Sequence, residues 1–218
     1  MISSLAYIDP GAKLGEGVTI EPFATIHGDV VIGEGTWIGS GASIYDGARI
    51  GSNCRIFNGA SISAIPQDMK FSGEETTLEI GDNTTVREFA TLNRGTRARG
   101  RTSIGSNCLL MAYVHVAHDC SLGDHVIMVS YSAIAGEVEL EDWVTLGGGV
   151  IVHQFVRIGA HTIIGGGAKV RIDVPPYIKA DREPLAFMGL NTVGLERRGV
   201  IPVPYFRERN LIRGGIYP

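Results

Sequence analysis

The sequence predicts an all-β fold, a left-handed parallel β-helix, on three observations. From Ile8 to Ile62 every sixth residue is aliphatic: Ile8, Leu14, Ile20, Ile26, Ile32, Ile38, Ile44, Ile50, Ile56 and Ile62. The residue two places before each is small (Ala6, Ala12, Val18, Ala24, Val30, Thr36, Ala42, Ala48, Cys54, Ala60), and glycine follows Leu14, Ile32, Ile38 and Ile50. A short strand points residues i−2 and i to the same face, so each hexad offers one small and one branched side chain inward and then turns. Three hexads close one triangular coil, and coils stack at the strand spacing of about 4.8 Å. Amphipathic helices repeat near 3.6 residues and ordinary strands near 2, so neither competes with a period of six.

The elements follow in order from that beat. Residues 63–77 (SAIPQDMKFSGEETT) leave the pattern, are polar and rich in turn formers, and read as a loop thrown out from the prism. The phase resumes at Ile80, Val86 and Leu92, breaks again over 93–103 (NRGTRARGRTS), and then runs unbroken from Ile104 to Val170. Loops on a rigid scaffold are where binding residues collect. One continuous domain is expected up to Pro175 and Pro176, with the β-helix at 1–176 and a C-terminal extension at 177–218. Within that extension Pro202, Pro204, Gly214 and Gly215 leave room for one short helix around Tyr205 to Arg213.

Composition agrees, with 30 glycines to supply corners and only 7% aromatic residues. A net charge of −4 argues against generic nucleic-acid binding. No apolar run approaches the roughly 18 residues that span a bilayer, and MISSLAYIDPGAKLG lacks a signal peptide's basic start and apolar core. A cytoplasmic protein without stable membrane insertion is expected. Cys54, Cys108 and Cys120 all take the small inward position, so they read as core fillers rather than as nucleophiles or metal ligands.

None of the six histidines falls on an inward position. Since a coil is 18 residues, His118, Gly136 and Gln154 stand in one column and Asp119, Glu137 and Phe155 in the next. His118 therefore faces a glycine one coil away, with a carboxylate beside it. That set suits proton abstraction from a hydroxyl: imidazole takes the proton, a carboxylate fixes its tautomer, and a glycine N–H donates to a developing oxyanion. His27, His125 and His161 read as solvated or as making loop hydrogen bonds.

The segments LLMAYVHVAHDCSLGDHV, AGEVELEDW, LGGGVIVHQFVRIGAHTIIGGGAKV, DVPPY and GLNTVGLERRG closely resemble the acyl-carrier-protein-dependent UDP-N-acetylglucosamine O-acyltransferases of lipid A synthesis. IPQDMKFSGEETTLEIGDNTTVRE and LNRGT look like that family's substrate loop and the coil after it, so the resemblance covers roughly residues 1–199. It implies transfer of a 3-hydroxyacyl chain from acyl carrier protein to the sugar 3-hydroxyl, without metal or cofactor, by a homotrimer with clefts between subunits. His118 matches the general base, Asp119 its orienting partner and Gly136 the oxyanion donor. Asp68 and Lys70, with Gln67 beside them, match sugar-binding positions; His115, His153 and Gln154 match positions lining the cleft. Asn191 and Arg198 match nucleotide contacts, with Arg197 a weaker candidate. Gly166 falls where the family measures acyl length, and a glycine there leaves room for a longer chain.

Departures from the family pattern are part of the reading. Glu137 stands where many members carry a second histidine; stacked on Asp119 it is expected to raise a carboxylate pKa or tune His118 upward, without being an essential base. Ser130 and Tyr131 replace a familiar pair of asparagines. Members usually continue past the ERRG motif into a helical domain, against which 177–218 is short. Arg94, Arg97, Arg99 and Arg101 form a cluster that either steers an acidic carrier protein or is solvated surface, the two readings being balanced; Lys169, Arg171 and Lys179 are further candidates. Two alternatives stay open: another hexapeptide acyl- or acetyltransferase, and an inactive trimeric scaffold derived from the family.

Overall fold

The computed structural model describes residues 1–200, so the short helix expected around Tyr205 to Arg213, with its flanking Pro202, Pro204, Gly214 and Gly215, lies outside the described residues. Within them the chain is an all-β left-handed parallel β-helix of 27 short strands with one helix, Thr192–Arg197. Three sheets, parallel but for the last pair of strands, form the flat sides of the prism. They hold nine, eight and ten strands, successive coils being hydrogen-bonded strand to strand. No helix among the described residues is long and apolar enough to cross a membrane.

The hexad pattern translates directly into burial. Ile26, Ile38, Ile44, Ile56, Ile62, Leu92, Leu110, Val116, Ile134, Leu146 and Val152 are all fully buried, and the small residues before them fill the corners of the same core. At about 1.5–3 kcal/mol per buried aliphatic side chain, this column is the main source of stability. Ile8 and Leu14 are only partly buried because the stack is open at its first coil. Cys54, Cys108 and Cys120 are buried in the core as expected, and burial pushes the Cys108 thiol up to about 11 and Cys120 to about 12, which keeps them unreactive.

Two glycine positions do different work. Three residues after most inward aliphatics the backbone turns through the left-handed region, with Gly17 at φ 70° and Gly149 at φ 68°. Glycine is a minority there from the middle of the chain onward, where Asn107, Tyr113, Asp119, His125, Tyr131, Glu137, Trp143, Phe155 and His161 hold φ between 58° and 68°. Asn and Asp tolerate this region with little strain, whereas the aromatics must be held there by the stacked coils. By contrast Gly33 and Gly51, immediately after the inward aliphatic, are required by close approach: a Cβ on Gly33 would meet the carbonyl carbon of Gly51 at 2.5 Å.

Both loops are narrower than the sequence pattern indicates. Strands Ser61–Ala64, Thr77–Ile80, Thr91–Asn93 and Arg101–Ile104 run into the off-pattern stretches, leaving 65–76 and 94–100 as loops. The reason is lateral pairing between the two loop bases. Thr77 through Ile80 zip residue for residue onto Arg101 through Ile104, and Ala64 pairs with Asn93, so backbone pairing persists where the side-chain pattern fails. At the far end the ladder carries past Pro175 and Pro176. Gly159 makes room for Pro176, Thr162 Oγ1 donates to the Pro175 carbonyl at 2.9 Å, and Ile178–Asp181 pairs with Ile163 and Ile164 before turning back antiparallel through Ala186–Leu190.

Candidate active site

His118 and Asp119 follow the strand His115–Val116 at a corner of the prism. The left-handed turn at Asp119 (φ 60°) swings its carboxylate inward under loop 94–100, where it is fully buried. An isolated buried carboxylate is costly, so its partners define it. Oδ1 accepts from the backbone N–H of Thr96 at 2.9 Å and of Arg99 at 3.2 Å. Oδ2 accepts from Thr96 Oγ1 at 2.7 Å and lies 2.8 Å from His118 Nδ1. The Asp119 backbone N–H donates to Thr102 Oγ1 at 2.8 Å. Because an ionised carboxylate only accepts, this network puts the imidazole proton on Nδ1 and leaves the Nε2 lone pair facing outward.

The ring lies flat against Gly136 on the next coil. A Cβ added to Gly136 would sit 2.6 Å from His118 Cε1 and 2.7 Å from Nε2. Gly136 is not in the left-handed region, so the requirement here is space. The two coils are tied beside it by Glu137 N–H to the His118 carbonyl and Phe155 N–H to the Gly136 carbonyl, both 3.1 Å. Among the described residues no protein acceptor takes the Gly136 N–H.

Loop 65–76 brings Asp68 to 4.0 Å from His118 Nε2. Its other carboxylate oxygen accepts from the Lys70 backbone N–H at 3.0 Å, while the Lys70 and Gln67 side chains are exposed. His115 sits one strand before the dyad, hydrogen-bonded to Thr91 Oγ1 at 2.8 Å; burial, and then the neighbouring His118, hold its pKa below the ordinary value. His153 and Gln154 are exposed on the coil beyond Gly136.

Other expected residues stand elsewhere in the chain. Asn191 is buried, donates from Nδ2 to the His161 carbonyl at 2.7 Å, and caps the helix by accepting from Gly194 N–H at 3.2 Å. Arg198 donates to His161 Nδ1 at 3.3 Å and packs its guanidinium over Trp143, 4.7 Å from the ring centroid. Both therefore belong to the corner of Trp143 and His161, away from His118 in the same subunit. Arg197 is exposed in the last turn of the helix. Gly166 stacks on Gly148, where a Cβ would lie 3.2 Å from the Gly148 carbonyl oxygen.

Three sequence readings are corrected here. Glu137 points to Arg99, 3.8 Å from its Nε, so its charge is answered by a cation rather than imposed on the dyad. The arginine cluster is not one continuous basic patch: Arg99 also binds Glu139 at 2.8 Å, Arg101 faces Glu79 at 3.6 Å, and Arg94 donates to the Asp46 carbonyl and covers Phe71, while Arg97 is exposed. His125 and His161 are not simply solvated, since they flank Trp143 in a ring stack, and His27 packs on Tyr45 and faces Asp46 at 3.6 Å. Sequence reasoning missed Thr96, Arg99 and Thr102 as holders of Asp119. The one available signal was that NRGT interrupts the repeat; the direction in which that loop folds has no periodicity to announce it.

Comparison with known proteins bears on this geometry. A family model for the bacterial transferase hexapeptide (six repeats) matches residues 29–64 and 101–136, and one for Udp N-acetylglucosamine O-acyltransferase, Domain 2, matches 173–203. The chain is similar to an acyl-[acyl-carrier-protein]–UDP-N-acetylglucosamine O-acyltransferase of Paracidovorax citrulli, 49% identical over 91% of this chain and 76% of the relative. Among solved structures it is similar to the UDP-N-acetylglucosamine acyltransferase of Francisella novicida, with a TM-score of 0.91 and 42% identity over 93% of this chain and 75% of that one. The corresponding Bacteroides fragilis structure gives a TM-score of 0.89 and 52% identity over 91% of this chain and 78% of that one.

Proposed function

The chain belongs to the family of acyl-[acyl-carrier-protein]–UDP-N-acetylglucosamine O-acyltransferases, and we propose that His118 is the general base of its reaction. It is an O-acyltransferase: it moves an acyl chain, in our reading an (R)-3-hydroxyacyl chain, from acyl carrier protein to the 3-hydroxyl of UDP-N-acetylglucosamine, the first step of lipid A biosynthesis. The observation that carries the mechanism is the His118–Asp119 dyad at 2.8 Å with its carboxylate fully buried.

The steps follow from the dyad. Nε2 of the neutral imidazole takes the proton of the sugar hydroxyl as its oxygen attacks the thioester carbonyl, and Asp119 stabilises the imidazolium that forms. The tetrahedral oxyanion meets the Gly136 N–H, which no protein acceptor takes among the described residues. Collapse expels the carrier's thiolate, which takes the proton back from His118. Asp68, beside Nε2, holds a sugar hydroxyl, with Gln67 and Lys70 on the same loop and His115, His153 and Gln154 lining the cleft. No cofactor is assigned, because base, electrostatic donor and leaving-group acid are all groups of this chain.

A homotrimer is the working unit in this reading. Arg198 lies at a different corner from His118, so it reaches a nucleotide bound at His118 only across a subunit boundary, while the buried Asn191 holds the helix cap at that corner. The carrier protein and the nucleotide sugar meet it in the cytoplasm.

The test is acyl transfer from 3-hydroxyacyl carrier proteins of several lengths to UDP-N-acetylglucosamine, beside a His118→Ala control. Turnover that collapses in the control supports the reading; turnover that survives it overturns His118 as base. Activity with acetyl-coenzyme A and none with acyl carrier protein would point to the other hexapeptide transferases. The preferred chain length tests Gly166, which predicts a longer chain than a bulkier residue there would admit.

A further inference from the structure

We infer that Thr96, in the second loop, is a positioning residue for the catalytic dyad: its hydroxyl and its backbone N–H together fix the Asp119 carboxylate that orients His118. The inference rests on the reading of His118 as base. It reassigns the loop, whose arginines the sequence left balanced between steering a carrier protein and solvated surface, to the interior of the catalytic machinery.

The argument starts from what Asp119 has to do. Its Oδ2 must face His118 Nδ1, yet the carboxylate of an aspartate rotates readily and both oxygens are equivalent. Thr96 removes that freedom. Its N–H binds Oδ1 at 2.9 Å while its Oγ1 binds Oδ2 at 2.7 Å, so one residue grips both oxygens. The Thr96 hydroxyl has one proton; that proton goes to Asp119, and its lone pair accepts from Ala98 N–H at 3.1 Å. The hydroxyl is thus held as a donor to the carboxylate and cannot rotate away. Thr96 is itself buried, so water does not replace it.

The loop that presents Thr96 is anchored on both flanks. Upstream, Gly95 N–H donates to the Thr77 carbonyl at 3.1 Å, Thr76 Oγ1 donates to the Gly95 carbonyl at 2.6 Å, and Asn93 Nδ2 donates to the Ile65 carbonyl at 2.9 Å. Downstream, Arg99 N–H reaches Asp119 Oδ1 and its guanidinium is tied to Glu139 and Glu137 on later coils. Arg97 N–H also donates to Glu74 on the first loop at 3.2 Å. One short segment therefore connects the base of the loop that carries Asp68 to the carboxylate behind His118.

The experiment compares Thr96→Val, Thr96→Ser and His118→Ala in the full chain, reading kcat and KM separately, with thermal melting beside them. Valine keeps shape and backbone but loses the hydroxyl; serine keeps the hydroxyl. Thr96→Val is expected to lower kcat by about tenfold or more with KM changed by less than about threefold, as for loss of one oriented donor, and Thr96→Ser to restore most of it. A Thr96→Val enzyme with wild-type kcat overturns the inference. So does a loss that serine fails to restore, or one that appears only together with a large fall in melting temperature, since a merely structural role would give those. If His118→Ala retains activity, the proposed mechanism fails first, whatever Thr96 does.

Discussion

Two consecutive corners of one coil carry the same two residue types in opposite order, His118–Asp119 and Asp124–His125, and only the first is a dyad. Backbone does not separate them, for Asp119 and His125 both occupy the left-handed turn, at φ 60° and 58°. What differs is what covers each corner. Over Asp119 lies loop 94–100, which buries the carboxylate and aims it at His118. At the other corner the coils stack without a loop: Asp124 Oδ1 accepts from Ser106 N–H at 2.7 Å, and the His125 ring lies on Trp143 with centroids 3.8 Å apart. The second aspartate serves the coil stack and the second histidine an aromatic ladder. The lesson is that a repeat makes equivalent places, and an interruption of the repeat sets one of them apart as a buried, loop-covered dyad.

The comparison breaks most visibly at the histidines. His118→Ala should cut kcat/KM by about a thousandfold, within the range for loss of a general base, while His125→Ala changes it by less than about twofold. Equal losses in a steady-state assay would erase the distinction. Next, Gly136→Ala should displace the His118 ring and cost about a hundredfold in kcat, with melting little changed because the backbone there suits alanine. Unchanged turnover would show that the ring needs no such clearance. Smaller still, Glu137→Ala should lose only a few-fold, since it removes a part-exposed contact to an arginine that Glu139 also holds, a class of pair contributing about 0–1 kcal/mol. A loss matching that of His118→Ala would make Glu137 part of the chemistry.

The smallest effect concerns pH and stability. His115 has its pKa lowered in the folded protein by burial and then by His118, whereas in the unfolded chain it titrates near 6.5. The unfolded state therefore binds more protons below that value, and stability should fall as pH drops through about 6.5, levelling off below the folded pKa. His115→Gln should flatten this slope in urea midpoints measured across the window. Some slope should remain, because His161 is shifted the same way by burial and Arg198. A slope unchanged by His115→Gln would remove His115 as its source.

Much of this molecule was legible in its residues. The inward column, the buried cysteines and the stacking of His118 on Gly136 follow from counting alone, because a coil with a fixed period converts sequence separation into position. Glu137 was misjudged for a related reason: the count places it over Asp119 but says nothing of Arg99, which arrives from an off-period loop. The arginines of 94–101 were ambiguous in the same way, since their partners Asp46, Glu79, Glu137 and Glu139 are remote in sequence. Asn191 was expected at a ligand, and in the chain its amide spans a helix cap and the His161 carbonyl.

By itself, then, the sequence determined the β-helix, its core and the column on which His118 and Gly136 stand, because hydrophobic periodicity is a local code that stacking repeats at every coil. Only the tertiary structure decided which histidine–aspartate pair becomes a dyad, that Asp68 reaches to 4.0 Å of Nε2, and that Thr96 grips both carboxylate oxygens. Those outcomes depend on the paths of two irregular loops. Such paths are set by hydrogen bonds between residues about 20 to 30 apart, of which a period of six carries no trace.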